Sequence, residues 1–171
     1  HFGVPNEEIP GIWSVISFGV AFAIILILLI PDMKHRHMER SRSTRGQAVV
    51  WTIAGVFMVF AAQYIAILLQ MMLFGIEPGS VNTEVIVEVA KAVPLFIIVL
   101  AVIGPILEEI VFRLIIFGAL YKRFNFWIAA IASSLIFSVV HMDFEHTLVY
   151  VAVGLTFAFL YVKTKRILVP I

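Results

Sequence analysis

The stretch that decides the fold is residues 92–120, which read AVPLFIIVLAVIGPILEEIVFRLIIFGAL. This stretch is long and apolar enough to cross a lipid bilayer as a helix, yet Glu108, Glu109 and Arg113 lie inside it. A charged side chain at the centre of a membrane helix costs about 2.5–3.5 kcal/mol on insertion scales. Three such side chains in one span therefore indicate a functional site within the membrane.

The composition of the whole chain also indicates a membrane protein. Of its 171 residues, 62% are hydrophobic and 13% are charged, and a soluble domain would carry about twice that charged fraction. We therefore predict an integral membrane protein whose partner is the lipid bilayer and which has no nucleic-acid partner. The chain contains no cysteine, which excludes disulfide bonds and thiolate metal sites.

Four further apolar runs flank this stretch, and we predict an all-α, polytopic transmembrane helix bundle that forms one domain over residues 1–171. Lipid offers no hydrogen-bonding partner to the backbone, so each run is predicted to be a helix. We expect Pro31 to end the first span and Gly104-Pro105 to kink or break the third. The predicted spans are residues 12–30, 48–74, 92–120, 126–141 and 147–162.

The positive charges predict an orientation for these five spans. Ten of the twelve Lys and Arg residues fall in the segments that follow the first, third and fifth spans, which all lie on one side. Under the positive-inside rule that side is cytoplasmic. We predict that residues 34–45 are cytoplasmic and that residues 75–91 are external. A start outside the membrane leads us to expect a further span before residue 1.

The three charges of the third span are predicted to have two different tasks. Glu109 and Arg113 are four residues apart, so they lie one turn apart on the same helix face and can pair. Glu108 points about 100° away from Glu109 and is predicted to carry the chemistry. If the helix restarts at Pro105, the positive end of its dipole would favour both carboxylates. The alternative is a buried Glu–Arg pair that only holds helices together.

A second polar group lies on the fourth span. Ser134, Phe137, Ser138 and His141 fall on one face of a helix and form a narrow stripe that ends at the histidine. At the helical rise, Glu108 and His141 would lie about 20 and 22 Å from the same membrane face, so both could act on one water. The alternative is a histidine at a helix end that contacts bulk water.

Together, Glu-Glu-x-x-x-Arg at residues 108–113 and Phe-x-x-x-His at residues 137–141 resemble the CPBP family of intramembrane proteases, which includes CAAX proteases and bacteriocin-processing and bacteriocin-immunity proteins. The resemblance covers residues 92–171. It implies an intramembrane CAAX-type endopeptidase of the bacterial plasma membrane that hydrolyses a membrane-associated peptide or protein. It also implies that Glu108 is the general base, that His141 is its partner in activating water, and that Glu109 and Arg113 support them.

The chain departs from this family's pattern in one respect. The last family motif, His-x-x-x-Asn or Asp, helps to stabilise the oxyanion, but His146 is followed four residues later by Tyr150. We expect that motif on a further helix beyond residue 171. The sequence offers no complete three-ligand set, so we expect no metal cofactor. The rivals are a zinc-dependent hydrolase with Glu108 and His141 as ligands, and a non-catalytic scaffold or immunity protein.

Three smaller features are predicted to be structural. We expect the polar residues on one face of the second span, Thr52, Gln63 and Gln70, to form interhelical hydrogen bonds. We expect Gly154 and Ala158 to allow close helix packing. The polar residues just after the fourth span are expected to form a solvated connection rather than a metal cluster; they are His141, Asp143, Glu145 and His146.

Overall fold

The structure is a computed structural model that describes residues 8–36, 42–79 and 81–171. Every regular element within these ranges is helical, which confirms the predicted all-α class. We number the helices in chain order: α1 (Ile9–Arg36), α2 (Arg45–Phe74), α3 (Val81–Ala92), α4 (the helical run over residues 96–121), α5 (Phe126–Val140) and α6 (Thr147–Thr164), with a short 3₁₀ turn at Phe144–His146 before α6.

Each of the five predicted spans is mostly helical in the described chain, and the third, residues 92–120, is interrupted at residues 93–95 between α3 and α4. Three segments are long and apolar enough to cross a membrane: Ile9–Leu29, Arg45–Phe74 and Phe144–Thr164. Helix α5 is apolar but shorter, with 15 residues. Helix α4 is helical at every residue, but it alternates between α-helical turns and wider π-helical turns.

The structure adds two helical features to the predicted spans. The apolar segment of α1 ends at Leu29, close to the predicted end of the first span, but the helix itself continues past Pro31 to Arg36. A proline removes only its own amide donor, so the helix can resume beyond it. Residues 81–92, predicted as part of an external connection, form helix α3. Its apolar residues recur every three to four positions, and Glu84 in the first turn and Lys91 in the last complement the helix dipole. Pro94 disfavours helical backbone at the residue before it. Helix α3 therefore ends at Ala92, and α4 begins at Phe96.

At Gly104-Pro105, where a kink or a break was predicted, the helix does not break. The Gly104 amide donates to the Val99 carbonyl, five residues back, which closes a wide π turn at Val99–Ile103. This turn accommodates Pro105, which has no amide hydrogen, without ending the helix. A Cβ atom at Gly104 would lie 2.9 Å from the Val99 oxygen, so the turn needs glycine. The glutamates are therefore in the helix interior, and the predicted help from a helix N-terminus is absent.

The chain folds into two compact units. The first contains α1, α3 and the part of α4 up to Glu108, and α1 packs there against α3 and the start of α4. The second contains α2, α5, α6 and the part of α4 from Glu109 onwards, and α6 packs there between α2 and α5. The prediction of a single domain stays a prediction.

Close helix packing in the second unit depends on small residues. A Cβ atom added at Gly154 would lie 2.7 Å from the Ser134 Cβ atom, so α5 and α6 approach each other closely there. Ala158 is buried in the same core with Phe117, Ala129 and Ala130. This confirms the predicted packing role of Gly154 and Ala158. The predicted bond of Gln70 is confirmed as well, because its Oε1 accepts the Val149 amide of α6 at 3.3 Å.

Candidate active site

Glu109 and Arg113 form a buried ion pair, as predicted. The Arg113 Nε atom lies 3.3 Å from Glu109 Oε2, and the residues are 0% and 3% exposed. A buried charge needs such a partner because removal from water costs several kcal/mol for each ion. The pairing survives although residues 110–117 form wide π turns rather than regular α-helix.

Arg113 also contacts aromatic side chains on two other helices. Its Cζ atom lies 5.5 Å from the ring centre of Phe137 on α5 and 5.4 Å from that of Phe157 on α6. Both distances are within the range of cation–π attraction, which strengthens when the groups are desolvated. One buried guanidinium therefore holds α4, α5 and α6 together within the second unit. Phe157 could not be identified from the sequence, because its partner Arg113 lies on another helix.

Phe137 connects Arg113 to His141. Its backbone carbonyl accepts a hydrogen bond from His141 Nδ1 at 2.8 Å, and its ring centre lies 4.3 Å from that of His141. The same ring also packs edge-on against Phe112 at 4.8 Å. The spacing of Phe-x-x-x-His thus brings one side chain between the buried arginine and the histidine, and it fixes the histidine ring through the backbone.

This hydrogen bond determines which His141 nitrogen can do chemistry. A carbonyl only accepts hydrogen bonds, so Nδ1 must carry the proton and the lone pair of the neutral ring is on Nε2. In this tautomer Nε2 can accept a hydrogen bond or a proton from water. The same tautomer suits a metal ligand, so it is compatible with both the water-activating and the zinc-dependent predictions.

Helix α5, which carries Phe137, is held in place by its own polar side chains. Asn125 caps α5 by accepting the Ile128 amide at 3.0 Å. The Ser133 hydroxyl donates to the Phe112 carbonyl at 2.9 Å, which fixes α5 against α4. The predicted polar stripe on α5 is buried at Ser134, Phe137 and Ser138, so it faces the protein interior. Helix α5 is thereby positioned before it reaches His141 at its C-terminal cap.

Glu108 differs from its neighbour in burial. Glu109 is buried, whereas Glu108 is half-buried, as expected for adjacent residues that point to different sides of one helix. The roles of Glu108 and His141 in catalysis stay predictions. In the part of the chain that the structure describes, no group of three His, Cys, Asp or Glu side chains could hold a metal ion.

Tyr150 is a further neighbour of His141 that the sequence did not reveal. Its ring centre lies 4.7 Å from that of His141, with 33° between the ring planes. We noted Tyr150 in the sequence only as a mismatch to the last family motif. Nothing in its spacing indicated a contact, because the fold back from α5 to α6 creates it.

Comparisons with known proteins show which proteins the chain is similar to. Residues 90–171 match the protein family described as "Type II CAAX prenyl endopeptidase Rce1-like". The chain is 47% identical to the "Putative membrane peptidase YdiL" of Bacillus subtilis (strain 168), across 99% of this chain and 71% of that protein. It is 38% identical to the "Membrane-embedded CAAX protease MroQ" of Staphylococcus aureus (strain USA300), across 92% of this chain and 67% of that protein. No solved structure matches the chain.

Proposed function

The chain belongs to the Rce1-like family of type II CAAX prenyl endopeptidases, and on that premise we propose that Glu108 and His141 activate a water for peptide-bond hydrolysis. The substrate is a membrane-associated protein or peptide. The observation that carries the proposal is the bond from His141 Nδ1 to the Phe137 carbonyl, because it leaves the lone pair on Nε2. An imidazole in that state can accept a hydrogen bond from the attacking water.

The reaction follows from general acid–base chemistry. The Glu108 carboxylate takes one proton from the water while His141 Nε2 accepts a hydrogen bond from the other, and the oxygen attacks the peptide carbonyl carbon. The carbonyl oxygen becomes an oxyanion in the tetrahedral intermediate. Glu108 then returns its proton to the amide nitrogen, the carbon–nitrogen bond breaks, and a carboxylate and an amine are released. Water is the only co-reactant.

Glu109 and Arg113 support this chemistry without touching the reacting atoms. Their pairing neutralises the Glu109 carboxylate next to Glu108, so the two adjacent acidic residues do not both stand as uncompensated charges. Arg113 also contacts the Phe137 ring, and the Phe137 carbonyl holds His141. The supporting pair is thus connected to the histidine through one side chain.

The test compares Glu108→Gln with wild type in the full-length protein. New protein C-termini in membranes of expressing cells are identified by mass spectrometry, and a synthetic peptide across each cleavage site is then assayed in proteoliposomes. Loss of a general base typically lowers turnover about 10²- to 10⁴-fold, so we expect these termini to disappear without a change in melting temperature. Glu88→Gln, at an exposed carboxylate, is the matched control.

Retained cleavage by Glu108→Gln would overturn the proposal and favour the scaffold reading. A second arm tests for a metal: the wild-type protein is chelated exhaustively and assayed again. We expect unchanged turnover. Activity that is lost on chelation and restored by zinc alone would instead support the zinc-dependent hydrolase.

A further inference from the structure

The chain folds back tightly after His141 and brings a second set of polar side chains towards it. Met142 has a left-handed backbone, with φ of 53°, and the residues after it form a 3₁₀ turn that leads into α6. Ser138 on α5 donates to the Thr147 hydroxyl at 3.0 Å, and Thr147 donates to the Phe144 carbonyl at 2.8 Å. These bonds fasten the start of α6 to the end of α5.

This fold places Tyr150 against His141. The rings of Phe137, His141 and Tyr150 form a three-ring cluster, with centre-to-centre distances of 4.3, 4.7 and 5.8 Å. Two aromatic rings therefore limit the rotation of the His141 side chain. This limit matters because His141 is the C-terminal cap of α5, and helix ends fray unless side chains hold them.

The hydroxyl end of the Tyr150 side chain has its own contact. Its hydroxyl lies 3.4 Å from Asp143 Oδ2, at the long end of hydrogen-bond distances, and the other carboxylate oxygen accepts a bond from His146 Nδ1 at 2.9 Å. The Asp143–His146 pair is mostly buried, with side chains 11% and 14% exposed. Asp143 and His146 are therefore part of a compact network, whereas Met142, Phe144 and Glu145 of the same connection are exposed to solvent.

We propose that Tyr150 is a positioning residue for His141 and that Asp143, held by His146, positions Tyr150. This inference rests on the proposed function, since it assigns the network a task in the reaction of His141. Its physical basis is the His141 tautomer. If the ring rotates away from the Phe137 carbonyl, either nitrogen can carry the proton, and the lone pair is then on Nε2 in only part of the population.

Two substitutions separate the ring of Tyr150 from its hydroxyl. Tyr150→Leu removes the contact with His141, whereas Tyr150→Phe keeps the ring and removes only the bond to Asp143. Tyr161 provides the matched control on the same helix, because its ring contacts Phe117 instead. The full-length protein in nanodiscs is used for all variants, with His141→Gln to assign the His141 signals.

The first readout is the ¹⁵N chemical shifts of His141, which report the tautomer and do not depend on activity. We expect wild type and Tyr161→Leu to show protonated Nδ1, and Tyr150→Leu to show a mixture of both tautomers.

The second readout is turnover of the peptide identified above. Misplacement of a catalytic group by about 1 Å can lower the rate about 10²-fold, so Tyr150→Leu should lower kcat ten- to hundredfold with little change in KM.

Unchanged His141 shifts in Tyr150→Leu would overturn the proposal. If that variant does not fold, Tyr150→Phe and Asp143→Asn are measured, and wild-type His141 shifts in both of them would overturn it equally. A mixed tautomer combined with full cleavage by Glu108→Gln would show that Tyr150 positions the ring while the proposed reaction is wrong. The two failures are therefore distinguishable.

Discussion

Glu108 and Glu109 are identical side chains at adjacent positions, and their surroundings give them different expected tasks. Glu109 is buried against Arg113, whose guanidinium also contacts Phe137 and Phe157. Glu108 is half-buried. The Glu109 carboxylate is thus part of the core of the second unit, and the Glu108 carboxylate is the one that we propose as the base.

At this scale we predict that Arg113→Ala is strongly destabilising. It leaves the Glu109 carboxylate buried without its cation, which typically costs about 3–5 kcal/mol, and it removes two aromatic contacts. Thermal unfolding in detergent measures the effect, with Arg123→Ala at an exposed cation as the control.

The double variant Glu109→Gln/Arg113→Met should be more stable than Arg113→Ala, because no charge is then left alone in the interior. Equal melting temperatures for Arg113→Ala and Arg123→Ala would contradict the structural role of the pair.

At the scale of helices, the sequence predicted the spans, which depend on the length of apolar runs. It missed a helix between spans and a change of helix type, which depend on more than apolar length. The five spans were identifiable because lipid demands long apolar helices. Helix α3 was missed since it lay between spans and was read only as a connection. The π turn at Val99–Ile103 was missed because a Gly-Pro pair predicts a break unless wider hydrogen bonding absorbs it.

The same distinction applies to the site. Glu109 and Arg113 were predictable as a pair, since their spacing on one helix decides it. The Phe137 carbonyl bond to His141 is also local, but it is fixed only by the side-chain conformation. Tyr150 and Phe157 were not predictable, because the packing of α6 on α4 and α5 brings them to the site.

For the helix pair α5 and α6, we predict that Gly154→Ala is destabilising. The added methyl group would overlap Ser134, and such overpacking typically costs about 1–3 kcal/mol. Gly46→Ala is the control, because nothing lies within 4 Å of its added Cβ atom. Thermal unfolding of the two variants should differ clearly.

Ser134→Gly should rescue Gly154→Ala by removing the atoms that the methyl group meets. If Gly154→Ala unfolds at the same temperature as Gly46→Ala, then α5 and α6 are not packed as closely as described.

At the scale of the whole molecule, composition, fold and family agree on a membrane protease. Three segments are long and apolar enough to cross a bilayer, and the chain belongs to a family of CAAX-type proteases. It spans 71% and 67% of the lengths of the two relatives described above. Because the three apolar segments suit a bilayer, activity is best measured with the protein in a membrane.

The central claim is that Glu108 and His141, on different helices of the chain, act on the same water. A double-mutant cycle in kcat/KM tests this most directly, with Glu108→Gln, His141→Gln and the combined variant measured on one cleaved peptide in proteoliposomes. Residues that act as a unit show grossly non-additive effects, so we predict that the double variant is no slower than the slower single variant. Losses that multiply in the double variant would show that the two residues act independently, and would contradict the claim.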